Sequence, residues 1–87
     1  MRFEWDAAKA ASNLDKHGVS FDEATRAWDD ADMMLVPMLR DAEARVRALG
    51  SVDGNVIAVV FTMRGTSARI ISARDASRQE RRRYVEG

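Results

Sequence analysis

The 87-residue sequence contains no cysteine, a single histidine and a single proline. Without cysteine there is neither a disulfide framework nor a thiolate metal site, and one histidine cannot form a histidine-rich metal centre. No apolar stretch approaches the roughly 20 residues of a membrane-spanning helix, and the N-terminus lacks the apolar core of a signal peptide. We expect one cytoplasmic domain over residues 1–87 with no membrane association, no metal and no other cofactor.

The chain also lacks net charge, because 14 basic residues balance 14 acidic ones. The two signs are not evenly mixed. Residues 1–43 carry 5 basic and 10 acidic residues, whereas residues 44–87 carry 9 basic and 4 acidic residues. Each half therefore produces its own electric field, and the basic half is expected to attract phosphates or an acidic partner.

End signals and hydrophobic periodicity predict two helices early in the chain and one at its end. Asp6 is a typical N-cap for the segment AAKAASNLDKH, and Gly18 suits the residue that follows a helix end. Ser20 opens a second helix, whose core-facing side is predicted from apolar spacing at Phe21, Ala24, Thr25 and Trp28. The sequence SRQE forms a capping box for the last helix.

The remaining segments alternate as strands do. Pro37 within MMLVPML indicates an edge strand, and VIAVVFTM, apolar on both faces, indicates a central one. Asp53-Gly54 between two apolar runs is a strong hairpin signal. Together with the short segment RFEW, the pattern predicts an α+β fold: a short N-terminal strand, two helices, an antiparallel meander of about four strands, and a C-terminal helix.

Arginines are the first candidates for a functional site. Arg74 ends the last predicted strand and Arg78 begins the following helix, with Arg82 one turn later on the same side. Arg45 and Arg47 share one face of an earlier strand. The guanidinium group binds phosphate oxygens in bidentate fashion and stabilises the extra charge of a phosphoryl transition state. These residues are therefore candidates for binding the phosphates of a nucleic acid and for catalysis.

Each candidate also has a structural interpretation. Arg81 and Arg83 are typical of a solvated helix face, and the same holds less well for Arg74 and Arg78. Histidine ordinarily titrates near neutrality, so His17 is a candidate general acid or base, but it also suits a helix C-terminus. Lys16 beside it is a candidate for the same role or an exposed side chain.

Two residues of the last helix leave the same choice open. Tyr84 could stack on a base or donate a proton, or it could anchor the helix on the core. Glu80 is better explained as the partner of Ser77 in the capping box than as a catalytic acid.

In its order of motifs, the sequence resembles the BrnT-type toxins. The stretch FEWDAAKAASNLDKHGVSFDEA is similar to the N-terminal signature of that family, and IISARDASRQERRRY is similar to its closing motif. Between them, RVRALGSVDGNVIAVVFTMRG resembles the arginine strand, hairpin and hydrophobic strand of the family. The chain departs from the family pattern at Phe61, where many relatives have Tyr or His, and at Asp75, where relatives often carry a basic residue.

The resemblance implies a RelE-like fold and a toxin of a type II toxin–antitoxin system that cuts RNA without metal and inhibits translation. It assigns the arginine pair at the strand end and helix start to Arg74 and Arg78, the basic pair at the first helix end to Lys16 and His17, and the strand arginine to Arg45. It also implies a BrnA-like antitoxin of the ribbon-helix-helix type, through which alone operator DNA would be contacted.

Three hypotheses follow from residues and resemblance together. The first is a metal-independent endoribonuclease in which Arg74 and Arg78 hold the scissile phosphate and His17 or Lys16 moves the proton. The second is a catalytically weak or inactive module that binds an antitoxin in operon autoregulation. The third, a nucleic-acid-binding regulator without catalysis, predicts salt-sensitive RNA binding and no cleavage.

Overall fold

A computed structural model describes residues 1–40 and 43–87 and shows helices packed on a five-stranded sheet. The predicted order of elements is confirmed, with one short 3-10 helix added after α2. The elements are β1 (Arg2–Glu4), α1 (Ala7–His17), α2 (Phe21–Thr25), the 3-10 helix (Arg26–Asp29), β2 (Met34–Arg40), β3 (Glu43–Val52), β4 (Asn55–Arg64), β5 (Ser67–Asp75) and α3 (Arg78–Glu86). No helix within the described ranges has the length and apolar character needed to cross a membrane.

The sheet has the strand order β1-β5-β4-β3-β2 and is mixed. Strands β2 to β5 form the predicted antiparallel meander, with β4 at the centre and the Pro37-containing strand β2 at the edge. β1 instead pairs in parallel with β5. The sheet is therefore not purely antiparallel. Helices and strands, rather than a single hairpin, connect β1 to β5, so the connection does not force β1 to run antiparallel to β5.

Local hydrogen bonds set the helix ends as predicted. The Lys9 N–H donates to Asp6 Oδ2 at 2.9 Å at the start of α1, which ends before Gly18 with φ of 70°. In α3 the Glu80 N–H donates to Ser77 Oγ at 3.1 Å, and the Ser77 N–H donates back to Glu80 Oε1 at 2.8 Å. This reciprocal capping box fixes the Glu80 side chain over the first turn of α3.

The core lies between α1, α2 and one face of the sheet, which we call the helix face. Phe21 and Ala24 are buried as predicted. Trp28 packs edge-to-face between Phe3 and Phe61, with distances of 4.9 and 5.0 Å between ring centroids. Ala27 is also fully buried, because the 3-10 helix after α2 brings it against β3. Phe61, only 4% exposed, belongs to this core.

The opposite face of the sheet carries the strand arginines, and we call it the arginine face. Strand neighbours alternate between faces. Since Ala48 and Ala73 are buried on the helix face, the adjacent Arg47 and Arg74 lie on the other one. The arginine face comprises Arg45, Arg47, Arg69 and Arg74. Asp75 pairs with the buried Ile57 and so lies on the helix side of β5, away from Arg74.

One buried side chain makes hydrogen bonds to the part of β5 that does not pair with β1. β1 pairs only with Ser67–Arg69. Further along, Asn13 Nδ2 donates to Ala73 O at 2.7 Å and Asn13 Oδ1 accepts from the Ala73 N–H at 3.1 Å, as a neighbouring strand would. Asn13 Nδ2 also donates to Val19 O at 3.0 Å. These contacts attach α1 to the edge of the sheet, with its last residues beside β5.

Candidate functional site

The most strongly connected charged group on the arginine face is an arginine pair around one carboxylate. Arg74 Nη1 and Nη2 donate to Glu80 Oε1 and Oε2 at 2.6 and 3.0 Å, and Arg47 Nε lies 3.4 Å from Glu80 Oε2. Arg47 Nε is buried and makes no hydrogen bond. We call these three residues the Arg74–Glu80–Arg47 cluster. It joins β5, β3 and α3 at one point.

The cluster fixes the ionisation of its members. Hydrogen bonds from Arg74 are the main cause that lowers the pKa of Glu80 to about 2, aided by the Ser77 N–H and the charges of Arg74 and Arg47 and opposed by partial burial. Glu80 in turn raises the pKa of Arg74. At neutral pH Glu80 is therefore a carboxylate that accepts hydrogen bonds and has no proton to donate.

A shallow cavity of about 260 Å³ opens beside the cluster. Apolar and polar side chains from β2, β3 and the first turns of α3 line it: Val36, Arg47, Leu49, Ser77, Gln79, Glu80 and Arg83. Arg78 and Arg82 are exposed on α3 and take no part in the cluster. The structure thus joins Arg74 to Arg47, rather than to Arg78 as the sequence suggested, because Glu80 reaches back to the sheet.

The basic end of α1 lies at a different cavity. Lys16 and His17 are exposed and, with Lys9 and Ser12 from α1 and Ser72 from β5, contribute to the lining of a depression of about 230 Å³. The two cavities share no lining residue, so the expected proton-transfer group and the Arg74 cluster are not gathered in one cleft. Ser72, which lines the second depression, is two positions before Arg74 on β5. The separation arises because α1 packs at the edge of β5, whereas α3 lies over the arginine face.

A comparison with known protein families assigns the chain to one of them. Residues 5–80 match the family described as "Ribonuclease toxin, BrnT, of type II toxin-antitoxin system". The chain belongs to the BrnT family. No curated protein matches the chain closely enough to count as a relative. Membership of this family means that the chain is a ribonuclease toxin of a type II toxin–antitoxin system, which implies an antitoxin partner and an RNA target.

In this BrnT-family chain, Tyr84 is a docking residue of α3. Its hydroxyl donates to Asp30 Oδ2 at 2.5 Å, and the Ser51 N–H donates to the same oxygen at 2.8 Å. The bond to Asp30 is the main cause that raises the pKa of Tyr84 to about 12, and it lowers the pKa of Asp30. The anchoring interpretation therefore describes the observed contact, although the anchor is a polar one.

Two further contacts were not foreseen from the BrnT-family sequence. Arg81 Nη1 donates to Ala76 O at 2.7 Å, so Arg81 fastens α3 to the preceding loop in addition to contacting solvent. Asp30 holds Tyr84 and β3 together. No sequence signal marks the contact between Asp30 and Tyr84, since the two residues are 54 positions apart. Among the described residues, no group of three or more His, Asp or Glu side chains could hold a metal ion.

Proposed function

We propose that this toxin is a metal-independent endoribonuclease that acts as one cytoplasmic domain of residues 1–87, cuts RNA and thereby inhibits translation. The observation that carries the proposal is the Arg74–Glu80–Arg47 cluster on the arginine face. Two guanidinium groups there hold a single anionic group. Arginine forks of this kind suit a phosphodiester and its transition state equally well.

In the proposed reaction the ribose 2′-hydroxyl attacks its own phosphate. His17 or Lys16 accepts the hydroxyl proton or protonates the departing 5′-oxygen, while Arg74 and Arg78 stabilise the charge on the phosphoryl oxygens. The phosphorus–5′-oxygen bond breaks as the 2′-oxygen bond forms, which leaves a 2′,3′-cyclic phosphate and a 5′-hydroxyl. An RNA strand that crosses β5 near Ser72 would contact both the α1 end and Arg74.

Flanking contacts complete the proposed RNA site. Arg45 and Arg47 on β3 and Arg82 on α3 would bind neighbouring phosphates, which position the strand without reading its sequence. Tyr84, which is half-buried, would contribute by holding α3 on Asp30 and by stacking on a base. Neither Asp75 nor Phe61 obstructs this surface, because both lie on the helix side of the sheet.

We further propose that the antitoxin is BrnA-like, of the ribbon-helix-helix type, and that operator DNA is contacted only through it. An acidic antitoxin segment would be attracted to the same arginine face as RNA. Its binding would then exclude RNA.

The decisive experiment is RNA cleavage by the purified chain with Arg74→Ala and Arg78→Ala, singly and together. Loss of a positioned donor to the transition state typically slows a reaction about 100-fold or more. Arg26→Ala is the matched control, because Arg26 pairs with Asp53 at an exposed hairpin. The expected products carry 2′,3′-cyclic phosphate ends, and DNA of the same sequence stays intact. Comparable cleavage of DNA would refute the 2′-hydroxyl mechanism.

One observation favours a second function, that of a weakly active or inactive module that binds antitoxin and RNA in operon autoregulation. Arg74, the main candidate for phosphate binding, is already neutralised by Glu80. Expression without antitoxin separates the two functions. Growth arrest that Arg74→Ala with Arg78→Ala abolishes supports the enzyme, whereas the absence of arrest supports the binding module.

A further inference from the structure

Glu80 occupies the position that a bound anion would take. Three hydrogen bonds reach its carboxylate, two from the Arg74 fork and one from the Ser77 N–H, and Arg47 adds a charged contact without a hydrogen bond. The Glu80 side chain is only 13% exposed, so its carboxylate is largely shielded from solvent. A phosphodiester of RNA would need the same guanidinium groups.

Carboxylate and phosphodiester cannot both be held there. Each carries one negative charge at neutral pH, so the two would repel each other if both were bound to Arg74. Glu80 fills the bidentate position between Nη1 and Nη2 of Arg74. Any phosphate that takes this position must therefore displace the carboxylate.

Displacement does not require α3 to unfold. The Ser77 hydroxyl still accepts from the Glu80 N–H when the Glu80 side chain turns away. None of the nine residues of α3 is buried, and Tyr84 and Arg81 fasten the helix independently of Glu80. The Glu80 side chain can thus reach solvent by side-chain rotation alone.

We propose that the Glu80 carboxylate is an internal competitor for the RNA phosphate at Arg74 and Arg47. This inference rests on the proposed function, which has RNA phosphates bind at Arg74 and, beside it, at Arg47. It adds that the free protein holds its phosphate site closed and that RNA binding opens the site by exchange of one anion for another.

The test is Glu80→Gln in the full chain. Glutamine at this position keeps the capping box, so the substitution removes the charge and leaves the helix start intact. Glu86→Gln is the matched control, because it makes the same charge change on the exposed end of the same helix. The probe is a 2′-O-methyl oligoribonucleotide, which carries phosphates but lacks the attacking hydroxyl.

Glu80→Gln is expected to lower the Kd for this probe about tenfold, the lower end of the coupling between close charge pairs, and Glu86→Gln about twofold or less. Arg74→Ala in the Glu80→Gln background should abolish the gain. Equal effects of the two glutamine variants would overturn the inference. Weaker binding by Glu80→Gln, or no binding by any variant, would do the same.

A second measurement uses the unaltered protein and so does not depend on folding of the variant. At pH 7, saturation with the probe should shift the carboxyl carbon resonance of Glu80 and leave that of Glu86 unchanged. An unmoved Glu80 resonance at saturation would refute displacement. Neither readout involves cleavage, so a protein that cuts RNA but shows no Glu80 effect contradicts this inference alone, and the reverse result contradicts the nuclease alone.

Discussion

Replacement of Asn13 with alanine should destabilise the protein more than any exposed substitution on α1. The side chain makes three hydrogen bonds to backbone groups, two at Ala73 and one at Val19. Asn13 is only 7% exposed, and β1 does not reach this part of β5. Alanine would leave the Ala73 N–H and two carbonyl groups without a protein partner.

The expected loss follows from these three bonds. Each buried hydrogen bond contributes about 1 kcal/mol net, and a stranded buried group costs about 1–3 kcal/mol. Because the site borders a surface depression that water can enter, we expect the lower part of this range and a total of about 3 kcal/mol. For a domain of this size, such a loss lowers Tm by about 15 °C.

Urea denaturation followed by tryptophan fluorescence measures this loss, since both tryptophans pack against the core. Ser12→Ala, an exposed neighbour on α1, is the control and should change the free energy of unfolding by less than about 0.5 kcal/mol. Hydrogen exchange at the Ala73 amide should also accelerate in Asn13→Ala. A loss under 1 kcal/mol, with Ala73 still protected, would refute the role of Asn13 in closing the sheet edge.

Two further predictions concern acid stability and close packing. The pKa of Glu80 is lowered from 4.5 to about 2, so its ionised carboxylate stabilises the folded state above pH 4.5. This stabilisation disappears as the pH falls towards 2 and the carboxylate is protonated. The Arg74 side chain is 37% exposed, so solvent screens the ion pair and reduces its effect. Between pH 5 and pH 2, urea titrations should show that the free energy of unfolding falls by about 1–2 kcal/mol more in the unaltered protein than in Glu80→Gln. Equal losses in the two proteins would contradict this prediction. Gly50→Ala would place a Cβ atom 2.9 Å from Ala27 Cβ, so the free energy of unfolding should fall by about 1–3 kcal/mol, and an unchanged urea midpoint would contradict the close contact.

The elements of the fold were predictable because their signals are local. The caps at Asp6 and Ser77 bond to residues three positions away, and the Asp53-Gly54 turn joins two adjacent strands. Periodicity assigned strand faces without reference to distant partners. The parallel pairing of β1 was missed, because it depends on residues more than 60 positions apart.

The candidate site was predictable only in its residue types. Arginine at positions 47 and 74 pointed to an anion, but no sequence pattern joins β3 to β5 or aims Glu80 at both. Glu80 was recognised for its local role in the cap, and its contacts with the sheet depend on where α3 lies. Conversely, the expected partnership of Arg74 with Lys16 and His17 is not present as a single cavity, because α1 is held at the sheet edge by Asn13.

The sequence by itself determined the elements, the basic second half and the family, since caps, turns and motif order reside in neighbouring residues. Only the tertiary structure decided which arginines meet, that Glu80 lies between them, and that Asp75 faces away from Arg74. The physical reason is the register of the sheet. A strand gives each side chain one of two faces, and only pairing with other strands decides which charges share a face.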